Sequence, residues 1–300
     1  MERQTWLVIR ALAADVCSKL EHPGVRYSDR WILLVYLRAV IHDRPVYWAC
    51  REVNRPADLR PVDLPSQATM SRRLRSQAFL WALALMLERL GGGTPAPDAP
   101  GRPRRRAFRQ GLLKVVDGLP SRIGGFGKDR SARTGRGAGG WYRGYKLHAL
   151  WGSAPVPQAW AVRPANESES TVARLLLARL EGFGYVLGDA IFDCNALYDI
   201  ALEHGHQLIA PKKRKSEGLG HRPQGEARLH GLELLATPYG RSLYAERPLI
   251  ERHFGDLTSR QGVSMLPQWV RTPERVYVWV GAKLIVNAVM NLLRIRRVAS

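Results

Sequence analysis

The sequence predicts a mixed α/β sheet flanked by helices, preceded by an all-α region. Two observations carry this. Apolar residues recur at helical spacing through residues 1–90, whereas from residue 111 short apolar runs succeed one another and then alternate with helix-like stretches. A third observation separates the halves: residues 91–110 combine Gly91, Gly92 and Gly93 with Pro95, Pro97, Pro100 and Pro103, which no regular element tolerates.

In the front region, Trp6, Ile9, Leu12, Val16 and Leu20 share one face and predict a first helix. Ser28 can cap a second, Asp29 to Ile41, whose centre is almost wholly apolar and therefore buried. Asp43 with Arg44 and Pro45 reads as the cap and first turn of a third, running through Trp48 and Val53. Leu64, Pro65 and Ser66 open a fourth, from Gln67 to Arg75. Ala68, Met70 and Leu74 face the preceding helices, leaving Gln67, Thr69, Ser71, Arg72, Arg73 and Arg75 pointing outward.

That basic, amide-rich face predicts a helix-turn-helix-like DNA-binding region, in which arginine and glutamine read guanine and adenine edges. The competing reading is a helical bundle with an ordinary solvated face. A helix from Ala78 to Leu90 closes the bundle. The linker at 91–110 carries Arg102, Arg104, Arg105, Arg106 and Arg109, and reads as a hinge, a strap along a phosphate backbone, or both.

Residues 111–300 form the sheet domain. Strand-like Leu112–Val116 leads into a glycine-rich basic loop, Ser121 to Gly140, whose arginines and lysine suit DNA and whose Trp141 and Tyr142 could stack on an unpaired base. Strands follow at Tyr145–Leu150 and Ala159–Val162, then a helix from Ser170 to Leu180. Strand Tyr185–Gly188, helix Ala196 to Glu203 and strand Gln207–Ala210 complete the sheet. A basic insertion at about 212–240 begins Lys212-Lys213-Arg214-Lys215, and helices Tyr244–Leu257 and Pro273–Arg297 close the chain.

Three acids stand out on this scaffold. Asp117 ends one apolar run, Asp189 ends another, and Glu251 lies in a helix-like stretch with Tyr244 and Arg247. Two strand-end aspartates and a distant helical glutamate supply hard oxygen ligands suited to Mg²⁺. Each has a plainer explanation. Asp117-Gly118 is a common tight-turn dipeptide, Asp189 could cap the next helix, and Arg247 and Glu251 could form a solvated i,i+4 pair. The long Gly/Arg stretch that follows Asp117 in place of a return strand, and Asp193 or Asn195 as better-suited caps than Asp189, favour the metal reading. His148, His204, His206 and Cys194 lack the paired spacing of a zinc site.

Composition narrows the partner. Lys and Arg total 46 against 26 Asp and Glu, a net charge of +20 that predicts a polyanion, double-stranded DNA above all. No membrane partner is expected, because Lys283 and Asn287 break the best apolar stretch and Arg10 and Asp15 interrupt the N-terminal one. Three well-separated cysteines argue against a disulfide framework, so the expected setting is a reducing cytoplasm, at the nucleoid.

The strand and helix order resembles the RNase H-like fold, and the strings within it resemble DDE transposases of bacterial insertion sequences, in the branch with a Tyr-Arg-Glu-Lys helix motif. These strings are Val116-Asp117-Gly118, Gly144-Tyr145-Lys146-Leu147-His148, Pro164-Ala165-Asn166-Glu167-Ser168, Gly188-Asp189-Ala190-Ile191-Phe192-Asp193, and Tyr244 with Arg247 and Glu251. The resemblance implies that Asp117, Asp189 and Glu251 are catalytic and hold two Mg²⁺ ions, with Mn²⁺ able to substitute. It implies DNA contacts from Lys146, Tyr244, Arg247 and Arg252, a substrate of element ends and target DNA, and a homo-oligomer on that DNA.

Three departures stand against it, one being Pro248, which breaks the motif helix unless that helix starts there as its first-turn residue. The position seven past Glu251, where the motif has Lys, holds Thr258, with Arg252 and Arg260 as replacement cations, and Ile191 stands where Gly is usual. A different RNase H-like nuclease, or a non-catalytic DNA-binding protein derived from a transposase, would share many of these features.

Overall fold

A computed structural model describes residues 2–18, 25–56, 63–91, 111–125, 128–137, 139–213, 218–219 and 223–299. The chain forms two compact units, residues 1–93 with 267–300 and residues 94–266.

The first unit is helical: α1 (Glu2–Cys17), α2 (Asp29–Ile41), α3 (Val46–Ala49), a 3₁₀ turn (Glu52–Asn54), α4 (Gln67–Arg73), α5 (Gln77–Gly91) and α11 (Pro273–Ala299). Ser28 caps α2 as its side chain accepts from the Trp31 amide at 3.2 Å, and Ser66 caps α4 through the Thr69 amide at the same distance. Because the centre of α2, residues 31–37, is wholly apolar, it is buried on every side and becomes the hub against which α1, α5 and α11 pack.

Two expectations change here. Asp43 adopts a left-handed φ of 53° instead of capping α3, and Pro45 takes the cap position; α3 then lasts a single turn. The long C-terminal helix, which sequence order groups with the sheet, belongs to the helical unit. Its Val276, Val280, Leu284 and Val289 are buried there. The two polar residues that break its apolar run are buried too, and Lys283 Nζ meets Asp43 Oδ1 at 3.1 Å. By length and composition, residues 273–295 could cross a membrane, yet 72% of the qualifying window is buried inside the protein.

The second unit contains β1 (Leu113–Ile123), β2 (Arg133–Gly137), β3 (Gly140–Trp151), β4 (Ala159–Pro164), α6 (Glu169–Leu177), β5 (Gly184–Leu187), α7 (Asn195–Glu203), β6 (His206–Ile209), α8 (Glu226–Ala236), α9 (Pro238–Tyr244), α10 (Leu249–Gln261) and β7 (Met265–Leu266). Antiparallel β4, β3 and β1 are followed across the sheet by parallel β5 and β6, with β2 sharing the outer edge of β3 and β7 added beside the end of β1. This is an RNase H-like mixed sheet. Crossover helices α6 and α7 cover one face, where Leu176, Leu177, Leu197 and Tyr198 pack on Val116, Leu150, Val186 and Leu208. Strand alternation turns Val115, Asp117 and Trp151 to the other face. There α10 lies against β1, and His253 stacks on Trp151 with ring centroids 4.4 Å apart.

Some predicted boundaries move. The apolar run ends at Val116, but β1 continues to Ile123, so Asp117 is a mid-strand residue paired with Ala149 and not part of a hairpin turn. The glycine-rich segment contains β2, and the basic insertion contains α8, which packs on β6 and α7. The linker residues 92–110 and insertion residues 214–217 lie outside the described residues.

Gly184 opens β5 at φ 135°, and a Cβ there would fall 2.0 Å from the Leu112 carbonyl oxygen. Gly182 has φ 79° with nothing near its Cβ position. Gly184→Ala is therefore expected to destabilise the unit by ~3 kcal/mol, through backbone strain and overlap together, and Gly182→Ala by only ~1 kcal/mol through strain. Urea titrations of both variants check this, and equal losses would contradict it.

Candidate active site

Parallel pairing of β1 with β5 sets Val115 opposite Leu187. Asp117 and Asp189 each stand two residues beyond that pair, so they emerge on the same face of neighbouring strands, which are about 4.8 Å apart in any sheet. Asp117 Oδ1 accepts from the Gly118 amide at 2.7 Å. Asp189 is extended (φ −79°, ψ −179°), and its Oδ1 accepts from the Ile191 amide at 2.8 Å, capping a 3₁₀ turn at Ala190–Phe192. The capping role and a ligand role are compatible, because one carboxylate oxygen remains.

The third acid arrives from a broken helix. Tyr244 ends α9 and Glu251 lies in the first turn of α10, so they do not share one continuous helix as their spacing suggested. Pro248 sits at the cap of α10, and the intervening chain turns through i→i−3 bonds, such as Arg247 N to Tyr244 O at 3.0 Å. The tight turns still bring the motif to β1. Arg247 Nη2 meets Asp117 Oδ2 at 3.1 Å, and its Nη1 meets Glu251 Oε1 at 3.3 Å. One guanidinium thus links an acid of the sheet with an acid of the helix.

The electrostatics show what this pocket lacks. Burial pushes the Asp117 carboxyl up to about 6, assisted by Asp189 and Glu169 and opposed by the Gly118 amide and Arg247. Burial also raises the Tyr244 hydroxyl, opposed by Arg247 and reinforced by Asp189 and Asp117, which places Tyr244 within range of both acids. What the pocket lacks is chiefly water, since burial is the largest cause of the Asp117 shift.

The donor chemistry suits a hard divalent cation: carboxylate oxygens only, two of them on adjacent strands. Among the described residues, no three His, Cys, Asp or Glu side chains stand together as a metal cluster. Arg247 bridges Asp117 and Glu251.

Other predicted residues divide by exposure. Gln67, Arg72 and Arg75 are exposed in and just after α4. Arg73 is turned inward: it donates to Asp29 Oδ1 at 2.6 Å and to the Tyr27 carbonyl at 3.0 Å, which makes it a packing residue. Lys146 is buried and bonded to Glu169, so its charge is neutralised inside the unit and not presented to DNA. Tyr142 is buried, whereas Trp141 is 74% exposed. Arg252 is exposed, and Arg260 is held by Asp256 at 3.1 Å. Arg104 and Arg105 lie outside the described residues.

Sequence reasoning missed Glu169, the first-turn acid of α6 that Asp117 senses. It also missed a buried pair, Asp193 with Arg228, four residues beyond Asp189. A helix-start Ser-Glu step after the Pro164–Ser168 string could have flagged the first. Nothing local could have flagged the second.

The fold is thus an RNase H-like sheet with Asp117 on β1 and Asp189 two residues past the end of the parallel strand β5. Residues 109–286 match the transposase DDE domain family, and the chain belongs to that family. Searches of curated proteins and of solved structures returned no match.

Asp117 carries a pH prediction. Its folded value, about 6, exceeds its ordinary 3.8, so the folded protein binds this proton more tightly than the unfolded chain does. Stability should therefore fall as pH rises through that window and stay lower above it. Asp117→Asn should stabilise the metal-free protein at pH 7.5 by ~2 kcal/mol, a gain that shrinks towards zero near pH 4. Urea unfolding of both proteins at the two pH values measures it; a pH-independent difference would rule out the buried charge as cause.

Proposed function

We propose that this protein is an insertion-sequence transposase of the Tyr-Arg-Glu-Lys branch, cutting DNA at the element's ends and joining the freed 3′ ends to target DNA. The observation that supports it most is the linkage of Asp117, Arg247 and Glu251 beside Asp189, in a chain whose net charge is +20.

Bound Mg²⁺ or Mn²⁺, two ions in this reading, supplies activation of the attacking oxygen and stabilisation of the leaving oxygen. The protein's own residues do the rest. Asp117 holds the cation site from within β1, and Asp189 from the turn that follows β5. Arg247 releases Asp117 and turns to the phosphate, freeing Glu251 to complete the acid set. Tyr244 donates its hydroxyl to a phosphate oxygen on the same side.

The helical unit binds the element ends through Gln67, Arg72 and Arg75, and Arg104 and Arg105 of the linker follow the backbone. Arg252 takes the place of the motif Lys that Thr258 lacks, since Arg260 is engaged by Asp256. A homo-oligomer holds both ends at the nucleoid. The absence of the motif Lys also favours a second reading, a DNA-binding protein that has kept the transposase scaffold without its chemistry.

Nicking of a terminal-repeat duplex with Mg²⁺ tests the assignment. Asp117→Asn, Asp189→Asn and Glu251→Gln should each lose ~10³-fold in rate, corresponding to about 4 kcal/mol of transition-state stabilisation. Activity that survives in these variants removes the proposal, and wild-type binding without nicking selects the second reading. Separately, the double substitution Arg72→Gln with Arg75→Gln should weaken DNA binding and flatten the plot of log affinity against log salt by about two units of slope. Filter binding across a salt series reads both.

A further inference from the structure

Asp189 stands at one end of the 3₁₀ turn Ala190–Phe192, and Asp193 stands at the other. A single turn of this kind has few backbone bonds, here Phe192 N to Asp189 O at 3.1 Å and Asp193 N to Ala190 O at 3.3 Å, so it needs outside anchors to hold its shape. Phe192 is one anchor, fully buried in the core beneath α6 and α7.

Asp193 is the other, and it is unusually well held. Arg228 of α8 donates Nε to Oδ1 at 2.7 Å and Nη2 to Oδ2 at 2.8 Å, and the Lys213 amide adds a third bond to Oδ2 at 2.8 Å. Both partners are buried. Burial alone would raise the Asp193 carboxyl, but the bonds from Arg228 and Lys213 hold it below its ordinary value. The Arg228 guanidinium also donates to Gln224.

We propose that the Asp193–Arg228 pair is a positioning clamp for Asp189: by closing the far end of the turn, it sets the direction of the Asp189 carboxylate that the reaction needs. This rests on the transposase reading of Asp189. Neither residue need touch the cation or DNA; each acts through the three-residue turn between them. The bidentate geometry matters because two parallel bonds fix rotation as well as distance. The clamp also joins α8, at the far side of the basic insertion, to the strand end that bears the acid. A buried ion pair is costly to form and need not add stability, so a pair kept at this position calls for another benefit, and orientation supplies one.

The test uses the full chain with Arg228→Lys, which keeps the charge and loses the bidentate contact, and Asp193→Asn as the stronger lesion. Two readouts are taken at a temperature where each variant is folded. In metal-free protein, exchange of the Ile191 amide, which donates to Asp189, should speed up ~10-fold in Arg228→Lys. In nicking assays, the Mg²⁺ concentration for half-maximal rate should rise ~10-fold, with the rate at saturating Mg²⁺ largely restored, as expected when an outer partner of a metal ligand is loosened. Unchanged Ile191 exchange and unchanged Mg²⁺ dependence, alongside a lower melting temperature, would make the pair merely structural and overturn the clamp. If Asp193→Asn does not fold, Arg228→Lys still decides. If the wild type shows no nicking, the transposase reading fails, and Ile191 exchange still reports on the clamp independently.

Discussion

Parallel pairing between β1 and β5 is the constraint on which the candidate site depends. Residues 117 and 189 are separated by β2, β3, β4, α6 and β5, yet the ladder that sets Val115 against Leu187 brings both out two residues past one matched pair. The side-chain period of a strand is two, so a slip of one residue would send either aspartate into the apolar layer under α6 and α7. That layer, with Val116, Val186 and Leu208 fully or almost fully buried, is what enforces the register. The hydrophobic core and the acidic pair are thus opposite faces of the same strands.

Arg247 is the second organising group. A chain with this much positive charge has no difficulty finding a cation for its acids, and it uses one from the turn before α10. The arrangement neutralises Asp117 only in part, because burial outweighs the single guanidinium. Lys146 is paired with Glu169 inside the same unit.

Much of this was legible along the chain. Caps announce themselves, because Ser28 and Ser66 need only an amide three residues on. Short apolar runs marked β1, β3, β4, β5 and β6, and their order predicted the mixed sheet. Asp43 misled because its capping signal competed with Pro45 and with a long-range contact to Lys283, which no local pattern encodes. Arg73 looked like a DNA-facing residue until Asp29, 44 positions away in sequence, proved to hold it. The break at Pro248 was visible, but not that successive 3₁₀ bonds would carry Arg247 across to Asp117.

Taken alone, the sequence determined the alternation of elements and the positive charge, and it singled out three candidate acids, since each depends on neighbouring residues and composition. Only the tertiary structure decided the rest: which strands pair, that the last helix joins the front of the chain, that Lys146 is internal, and that Arg228 pairs with Asp193. Such contacts join positions tens to hundreds of residues apart. Their free energy comes from burial and charge pairing in the assembled fold, which leaves no periodic trace along the polymer.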